Sequence, residues 1–182
     1  ARTYKVLSLL LSYPEEEWVN SVDEMAEIVL SEKIVSDESA SKLVQFATNL
    51  KGRDLLELQE DYVEIFDRSR THSLHLFEHV HGESRDRGQA MVDLIDMYRE
   101  KGFDVAAQEL PDYLPMFLEF LSLLPAEEAK DLLGDPIHII SSIGGNLKSK
   151  ENSYATVFEA LASVLGQKLA EPSLKEGAGS PE

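Results

Sequence analysis

The sequence has no cysteine, which excludes disulfides, iron–sulfur ligation through thiolates and thiol nucleophiles, and removes any argument for an oxidising compartment. It is also poor in cations. Its 17 Lys and Arg stand against 34 Asp and Glu, a formal charge of −17, so a nucleic-acid backbone or an anionic membrane face meets a repulsive mean field. Cationic partners are favoured instead. No apolar run approaches a membrane span. Val6 to Leu11 is too short for a secretory signal and continues into Tyr13-Pro14-Glu15-Glu16-Glu17, so it reads as a core helix. A phosphate-binding glycine loop, a dinucleotide fingerprint, a nucleophile elbow and an internal repeat are all missing, and no catalytic residue is expected.

What is present is helical periodicity. With 43% hydrophobic residues over 182 positions, the chain can bury roughly 70% of its unfolded surface, enough for one core. The expected fold is an all-α, single-domain helical bundle over residues 1–170, followed by a disordered tail at 171–182. A first helix at 2–12 ends at Tyr13-Pro14, because the residue before proline is pushed out of the α region. A second runs from Pro14 to about Ser31 with Trp18, Val22, Met25, Ile28 and Val29 inward. A third, Asp37 to Leu50, buries Leu43, Val44, Phe46, Ala47 and Leu50. A fourth, Leu55 to Phe66, places Leu55, Leu58, Tyr62, Ile65 and Phe66 on one face.

The next helix begins at Ser84 as N-cap and buries Met91, Leu94, Ile95 and Tyr98 before Gly102. Asp112 reads as the N-cap of another, with Pro115 in its first turn. Its body, Met116 to Leu124, is apolar almost all round, so it is either central or offers one side for docking. After Pro125 come a short helix at Ala126 to Leu133, one opened by Asp135-Pro136 that carries Ile139, Ile140 and Ile143, and a last one at Asn152 to Leu169. That last helix presents Tyr154, Val157, Phe158, Leu161 and Leu165. Gly144-Gly145 marks close packing, a terminus or a hinge.

Asp61 to Met91 concentrates the unusual chemistry. It holds His72, His75, His79 and His81 of the five histidines, together with Arg68, Arg70, Arg85 and Arg87. Its apolar residues Leu74, Leu76, Phe77 and Val80 predict one short helical turn pinned to the core. His75-Leu76-Phe77-Glu78-His79 matches an H-x-x-E-H pattern, in which two histidines on one helical face hold zinc and the glutamate acts as base. That mechanism needs a long helix, a third ligand and a cleft; in a short polar connection, histidines make capping hydrogen bonds instead. His81, Glu83, Arg85, Asp86 and Arg87 form a candidate buried ion-pair network, with carboxylate or phosphate recognition as the alternative.

Phe66-Asp67-Arg68, Ser73-Leu74, the run Leu76-Phe77-Glu78-His79-Val80-His81-Gly82-Glu83-Ser84-Arg85-Asp86-Arg87-Gly88-Gln89-Ala90-Met91, and Glu109-Leu110-Pro111-Asp112-Tyr113-Leu114-Pro115 carry a resemblance over about residues 3 to 170. Together they resemble the NarJ-type assembly chaperones of respiratory nitrate reductase, the delta subunit family, within the TorD-like redox-enzyme maturation proteins. The resemblance implies a cytoplasmic chaperone, neither an enzyme nor a holder of its own cofactor. It implies binding of the N-terminal, twin-arginine-like segment of the catalytic molybdenum subunit, keeping the apoenzyme competent for molybdenum-cofactor, iron–sulfur and haem insertion. Molybdenum-cofactor biosynthesis proteins are further implied partners; nucleic acid and stable membrane insertion are not. The wider family's Glu-Pro-x-Asp-His-like peptide motif falls on Glu109, Pro111, Asp112 and Tyr113. Tyr113 stands where relatives often have histidine, and His75 where an aliphatic residue is common. The candidate peptide-binding set is Tyr62, Phe66, Asp67, Leu76, Phe77, Glu78, His79, Glu109, Pro111, Asp112, Tyr113, Phe117 and Phe120. These would line a groove between the Asp112 to Leu124 helix and the Tyr62 to Val80 segment, with acidic rim residues drawing in a client's Lys and Arg. The competing readings are a histidine-rich metal- or cofactor-binding helical protein and a purely structural helical adaptor.

Overall fold

In the computed structural model, which describes residues 1–80, 84–105 and 109–172, prolines, caps and glycines end the helices. α1 (Arg2–Leu10) stops ahead of Pro14. The single helix expected next is two, α2 (Glu16–Val19) and α3 (Val22–Glu32), because a turn closed by the Ser21 N–H on the Trp18 carbonyl at 2.9 Å redirects the chain. Ser36 accepts from the Ser39 N–H and opens α4 (Asp37–Lys51). Asp54 accepts from the Glu57 N–H and opens α5 (Leu55–Tyr62), satisfying donors that a helix start leaves orphaned. Then follow α6 (Ser84–Glu100), α7 (Leu114–Ser122), α8 (Ala126–Gly134), α9 (Ile137–Ser149) and α10 (Ala155–Val164). Asp135 closes α8 and Pro136 caps α9, one position later than the sequence suggests. α10 ends early at Gly166, whose φ of +70° glycine adopts without a steric cost. The expected disordered tail from Glu171 falls, beyond Pro172, outside the described residues.

These helices make an all-α bundle organised around α7, and α1 lies along it in the most extensive helix–helix interface. α10 packs on α9 and α4, and α3 on α4 and α1. The Ser8 hydroxyl donates to the Pro115 carbonyl at 2.6 Å and fixes the register of α1 on α7. Leu114, Leu118, Phe120 and Leu121 have no exposed surface at all. An α7 with surplus apolar surface for docking is therefore corrected to a central helix, of which Phe117 reaches the wall of a cavity.

Gly144 and Gly145 serve close packing. Past Gly166 the chain runs back over α9, where the Ala170 N–H donates to the Ser141 hydroxyl at 2.6 Å. A Cβ on Gly144 would strike Phe158 and Leu169, and one on Gly145 would overlap the Ala170 carbonyl oxygen.

α6 is packed differently. Of its described side chains only Tyr98 is buried; Met91, Leu94, Ile95 and Met97 are half covered and Val92 is 50% exposed. Tyr98 anchors the C-terminal end, with its hydroxyl donating to the Pro111 carbonyl at 2.7 Å and its ring 4.7 Å from that of Phe120. The expectation that Met91, Leu94 and Ile95 are core residues is thus corrected. Periodicity identifies an apolar face but not whether anything covers it. Among the described residues no helix is long and apolar enough to cross a membrane.

Candidate functional site

The polar connection after α5 is shaped by backbone hydrogen bonds. α5 widens into a π turn at Val63–Asp67, closed by the Arg68 N–H on the Val63 carbonyl at 3.1 Å, and two 3-10 turns follow at Arg70–His72 and Leu76–His79. The second turn is laced to the chain just before α7. The Leu76 N–H donates to the Asp112 carbonyl at 3.1 Å, and the Leu114 N–H to the Leu74 carbonyl at 2.8 Å. Asp112 Oδ2 accepts from the Phe77 N–H at 2.9 Å. Asp112 therefore caps a turn 35 residues earlier, and Tyr113 occupies the N-cap of α7.

These contacts account for the histidines. His72 Nδ1 donates to the Ile65 carbonyl at 3.2 Å while Nε2 accepts from Lys150 Nζ at 3.4 Å, so the ring is neutral. Burial first, then the Lys150 charge, hold its pKa below the usual histidine value, against the pull of the Ile65 carbonyl. His79 Nε2 donates to the Ser73 carbonyl at 2.8 Å, and His75 stacks on Tyr113 with ring centres 5.1 Å apart. His75 and His79 bound a four-residue 3-10 turn, not the long helix that a zinc pair needs. No group of three potential metal ligands occurs among the described residues.

A cavity of about 360 Å³ opens beside this connection. α6 supplies Ala90, Asp93, Leu94 and Met97; α7 supplies Phe117; α8 and the start of α9 supply Leu132, Asp135, Pro136 and Ile139. Leu76, Phe77 and Asp112 complete it. Its walls are largely apolar, yet it contains three carboxylates and no basic side chain among the described residues. Asp112 is 1% exposed, and its Oδ1 accepts from no other described residue. A buried polar atom without a partner costs about 1–3 kcal/mol, more when charged. Burial raises the Asp112 pKa above the ordinary carboxylate value; the Phe77 amide and His75 pull it down, and Glu78 pushes it up.

The structure brings Leu76, Phe77, Asp112 and Phe117 of the candidate set together in this cavity. Glu78 and Glu109 are exposed, His79 is half covered, and Pro111 is buried as the acceptor for Tyr98. Phe120 is sealed beneath Tyr98 and Phe103. Tyr62 and Phe66 lie elsewhere, in an aromatic cluster with Tyr154, and Asp67 is exposed beyond them. The Tyr62 hydroxyl donates to the Leu11 carbonyl at 2.8 Å, which leaves the Tyr113 hydroxyl to donate to Tyr62 at 2.9 Å. Tyr62 and Phe66 are buried inside the bundle, so they cannot line an open groove without repacking it. Of the expected ion-pair network, His81 and Glu83 lie outside the described residues. Arg85 and Asp86 are exposed on α6 and Arg87 is half covered. Asp93, Met97, Leu132, Asp135, Pro136 and Ile139 were not legible as site residues, because each reads as helix face or helix terminus and the cavity exists only where separate helices meet.

With this geometry in place, the comparisons with known proteins are specific. The family described as nitrate reductase delta subunit matches residues 35–171. The chain is 43% identical over 179 residues to the probable nitrate reductase molybdenum cofactor assembly chaperone NarW of Escherichia coli K12, covering 98% of this chain and 74% of that one. It is 43% identical over 159 residues to the nitrate reductase molybdenum cofactor assembly chaperone NarJ of the same organism, covering 87% of this chain and 67% of that one. A solved structure described as a putative redox enzyme maturation protein from Archaeoglobus fulgidus superposes with a TM-score of 0.64 over 90% of this chain and 92% of that chain, at 24% identity, and shares its fold.

Proposed function

This chain belongs to the nitrate reductase delta subunit family, and from that premise we propose that it is the assembly chaperone of a nitrate reductase and receives the N-terminal segment of the catalytic subunit in the cavity between α6, α7 and the start of α9. It is a maturation chaperone, not a catalyst. The observation that carries the location is the combination of apolar walls and three carboxylates in one cavity of a chain with charge −17. Such a site suits an amphipathic, cationic helix: apolar burial sets affinity, and charge sets on-rate and selectivity. α6, held mainly by Tyr98, is the wall with least to lose by adjusting to a guest.

The client's twin-arginine-like character, a cytoplasmic site of action and contact with molybdenum-cofactor biosynthesis proteins are parts of the same proposal. The chaperone would hold the apoenzyme until its cofactors are loaded, then release it. The test is calorimetric titration with a synthetic peptide of the cognate catalytic subunit's N-terminal segment. Leu94→Gln places an amide in the apolar wall and should weaken binding about tenfold or more, since burial of one such side chain contributes about 1.5–3 kcal/mol. Raised salt should slow association more than it speeds release. Full-strength binding to Leu94→Gln would place the client elsewhere.

A further inference from the structure

The cavity, taken as the client site of the preceding subsection, is small for a helical guest, and one of its walls is anchored at its C-terminal end. We propose that α6 is a hinged lid over this site, pivoting about Tyr98 and swinging its Ser84 end away from α8 and α9 to admit the client. The assignment rests on the client-site reading and adds to it how access is controlled.

A space of about 360 Å³ lies at the small end of ligand pockets and holds a few side chains, whereas an α-helix with its side chains is about 10–12 Å across, so a helical client needs a wall to move. α7 cannot be that wall, because Leu114, Leu118, Phe120 and Leu121 have no exposed surface and Ser8 of α1 holds its first turn. The wall made by α8 and the start of α9 is rooted as well, through the fully buried Ala129, Leu133 and Ile140. That leaves α6, whose fixing is graded along its length. At the C-terminal end the Tyr98 ring lies 5.3 Å from that of Phe103 and 4.7 Å from that of Phe120, and its hydroxyl is held by the Pro111 carbonyl. Gly102, with a φ of +78°, turns the chain back so that the Phe103 N–H donates to the Tyr98 carbonyl at 2.9 Å, which locks the helix end. Beside it, Lys101 pairs with Glu128 of α8 and ties the pivot to the opposite wall. Met97 and Leu94 still pack on the buried core. Toward Ser84 the support thins: Val92 is half exposed, Gln89 donates to Asp93 within α6 itself, and a Cβ built on Gly88 meets nothing within 4 Å. Such a gradient gives the far end a lower opening free energy than the anchored end. Held in this way, the helix acts as a lever: a swing of about 15° carries position 89, roughly 14 Å from Tyr98 along the axis, by about 3–4 Å.

The chain has no cysteine, so introduced cysteines can be labelled at single positions. Nitroxide pairs at exposed sites report the two ends of the lid against α8: Gln89→Cys with Lys130→Cys for the far end, and Arg99→Cys with Lys130→Cys for the anchored end. Distances are read by pulsed electron paramagnetic resonance, and circular dichroism verifies that both labelled proteins are folded. In the free protein the 89–130 distance should be more broadly distributed than the 99–130 distance. A saturating amount of the synthetic N-terminal peptide of the cognate catalytic subunit should shift the 89–130 distance by about 3–4 Å and leave the 99–130 distance unchanged. Equal shifts in both pairs would mean that α6 moves as a whole, and no shift in either would make it a fixed wall; each result overturns the lid. Leu94→Gln separates this failure from that of the client-site reading. If that change weakens the peptide while the distances stay fixed, the lid is wrong and the client site survives. If Leu94→Gln binds as well as wild type, the client-site reading fails and takes the lid with it, whatever the distances do.

Discussion

α7 and α6 carry apolar faces of similar legibility and meet opposite fates. α7 is enclosed by α1 on one side and by Tyr98 and Phe103 over Phe120 on another, so its side chains sit at interior density. α6 is held at its C-terminal end by Tyr98, and its preceding turns lean half covered over a cavity. A chaperone must be stable without its client and must also offer it surface, and in the proposed client site those requirements fall on different helices. The stable helix gives the rigid wall, and the thinly packed one gives the wall that can adjust.

The comparison breaks most visibly if the two helices respond alike to truncation. Phe120→Ala, in the sealed region, should lower unfolding stability by about 3–5 kcal/mol, measured by urea denaturation. Leu94→Ala, on the half-covered face, should cost about 1 kcal/mol or less while still weakening peptide binding. Equal losses would show α6 to be as well packed as α7.

Gly145→Ala probes the sealed side from the backbone. The new methyl would overlap the Ala170 carbonyl, so either α9 shifts or the returning segment lifts away from Ser141. A loss of about 1–3 kcal/mol is expected, as for other overpacked sites, with unchanged peptide affinity because this contact lies apart from the cavity lining. A neutral result would mean that the returning segment is not seated there in solution.

Asp112→Asn sharpens the contrast between fold and function. The folded-state pKa of Asp112 is raised above its ordinary value near 3.8. Its neutral form is therefore favoured in the folded protein, and the associated stability is present at low pH and lost as pH rises through the folded value. The variant should be more stable than wild type by about 1 kcal/mol at neutral pH, an advantage that shrinks as the solution is acidified into the ordinary carboxylate range. Thermal unfolding at several pH values measures this. A less stable variant at neutral pH would show that the charge serves the fold.

How much of this was legible depends on range. Pro14 and Pro125 act within a turn of their own position, and the helix ends they mark fall close to where the sequence places them, whereas the Ser36 and Asp54 caps were not read from the sequence. The all-round apolarity of Met116 to Leu124 left a central helix and a docking surface both open, and only the packing of α1 and Tyr98 against α7 decides for the centre. Asp112 reads as a helix cap because it stands before a proline-bearing first turn, yet its oxygen is taken by Phe77, a partner supplied by tertiary pairing of two connections. The aromatic residues Tyr62, Phe66 and Phe120 read as binding surface, but bulky side chains near a motif are as readily used to fill the bundle. The histidines match a zinc-ligand spacing, yet the short polar connection around them points to capping hydrogen bonds, and His75 and His79 do bound a 3-10 turn and not a long helix.

The smallest effect tests the openness of α6 itself. Gly88 lies within α6, and a Cβ built there meets nothing within 4 Å. Alanine at that position should therefore add helix propensity without a steric penalty and raise stability by about 0.5–1 kcal/mol. The same change stiffens the adjustable wall, so its effect on binding separates two uses of α6. If the guest enters a preformed cavity, affinity should hold or improve slightly, because less ordering is required on binding. If α6 must bend to admit the guest, association should slow while the free protein grows more stable. Should Gly88→Ala instead destabilise the free protein, the space around that glycine is occupied in solution, and the exposure of α6 on which the comparison with α7 rests would be lost.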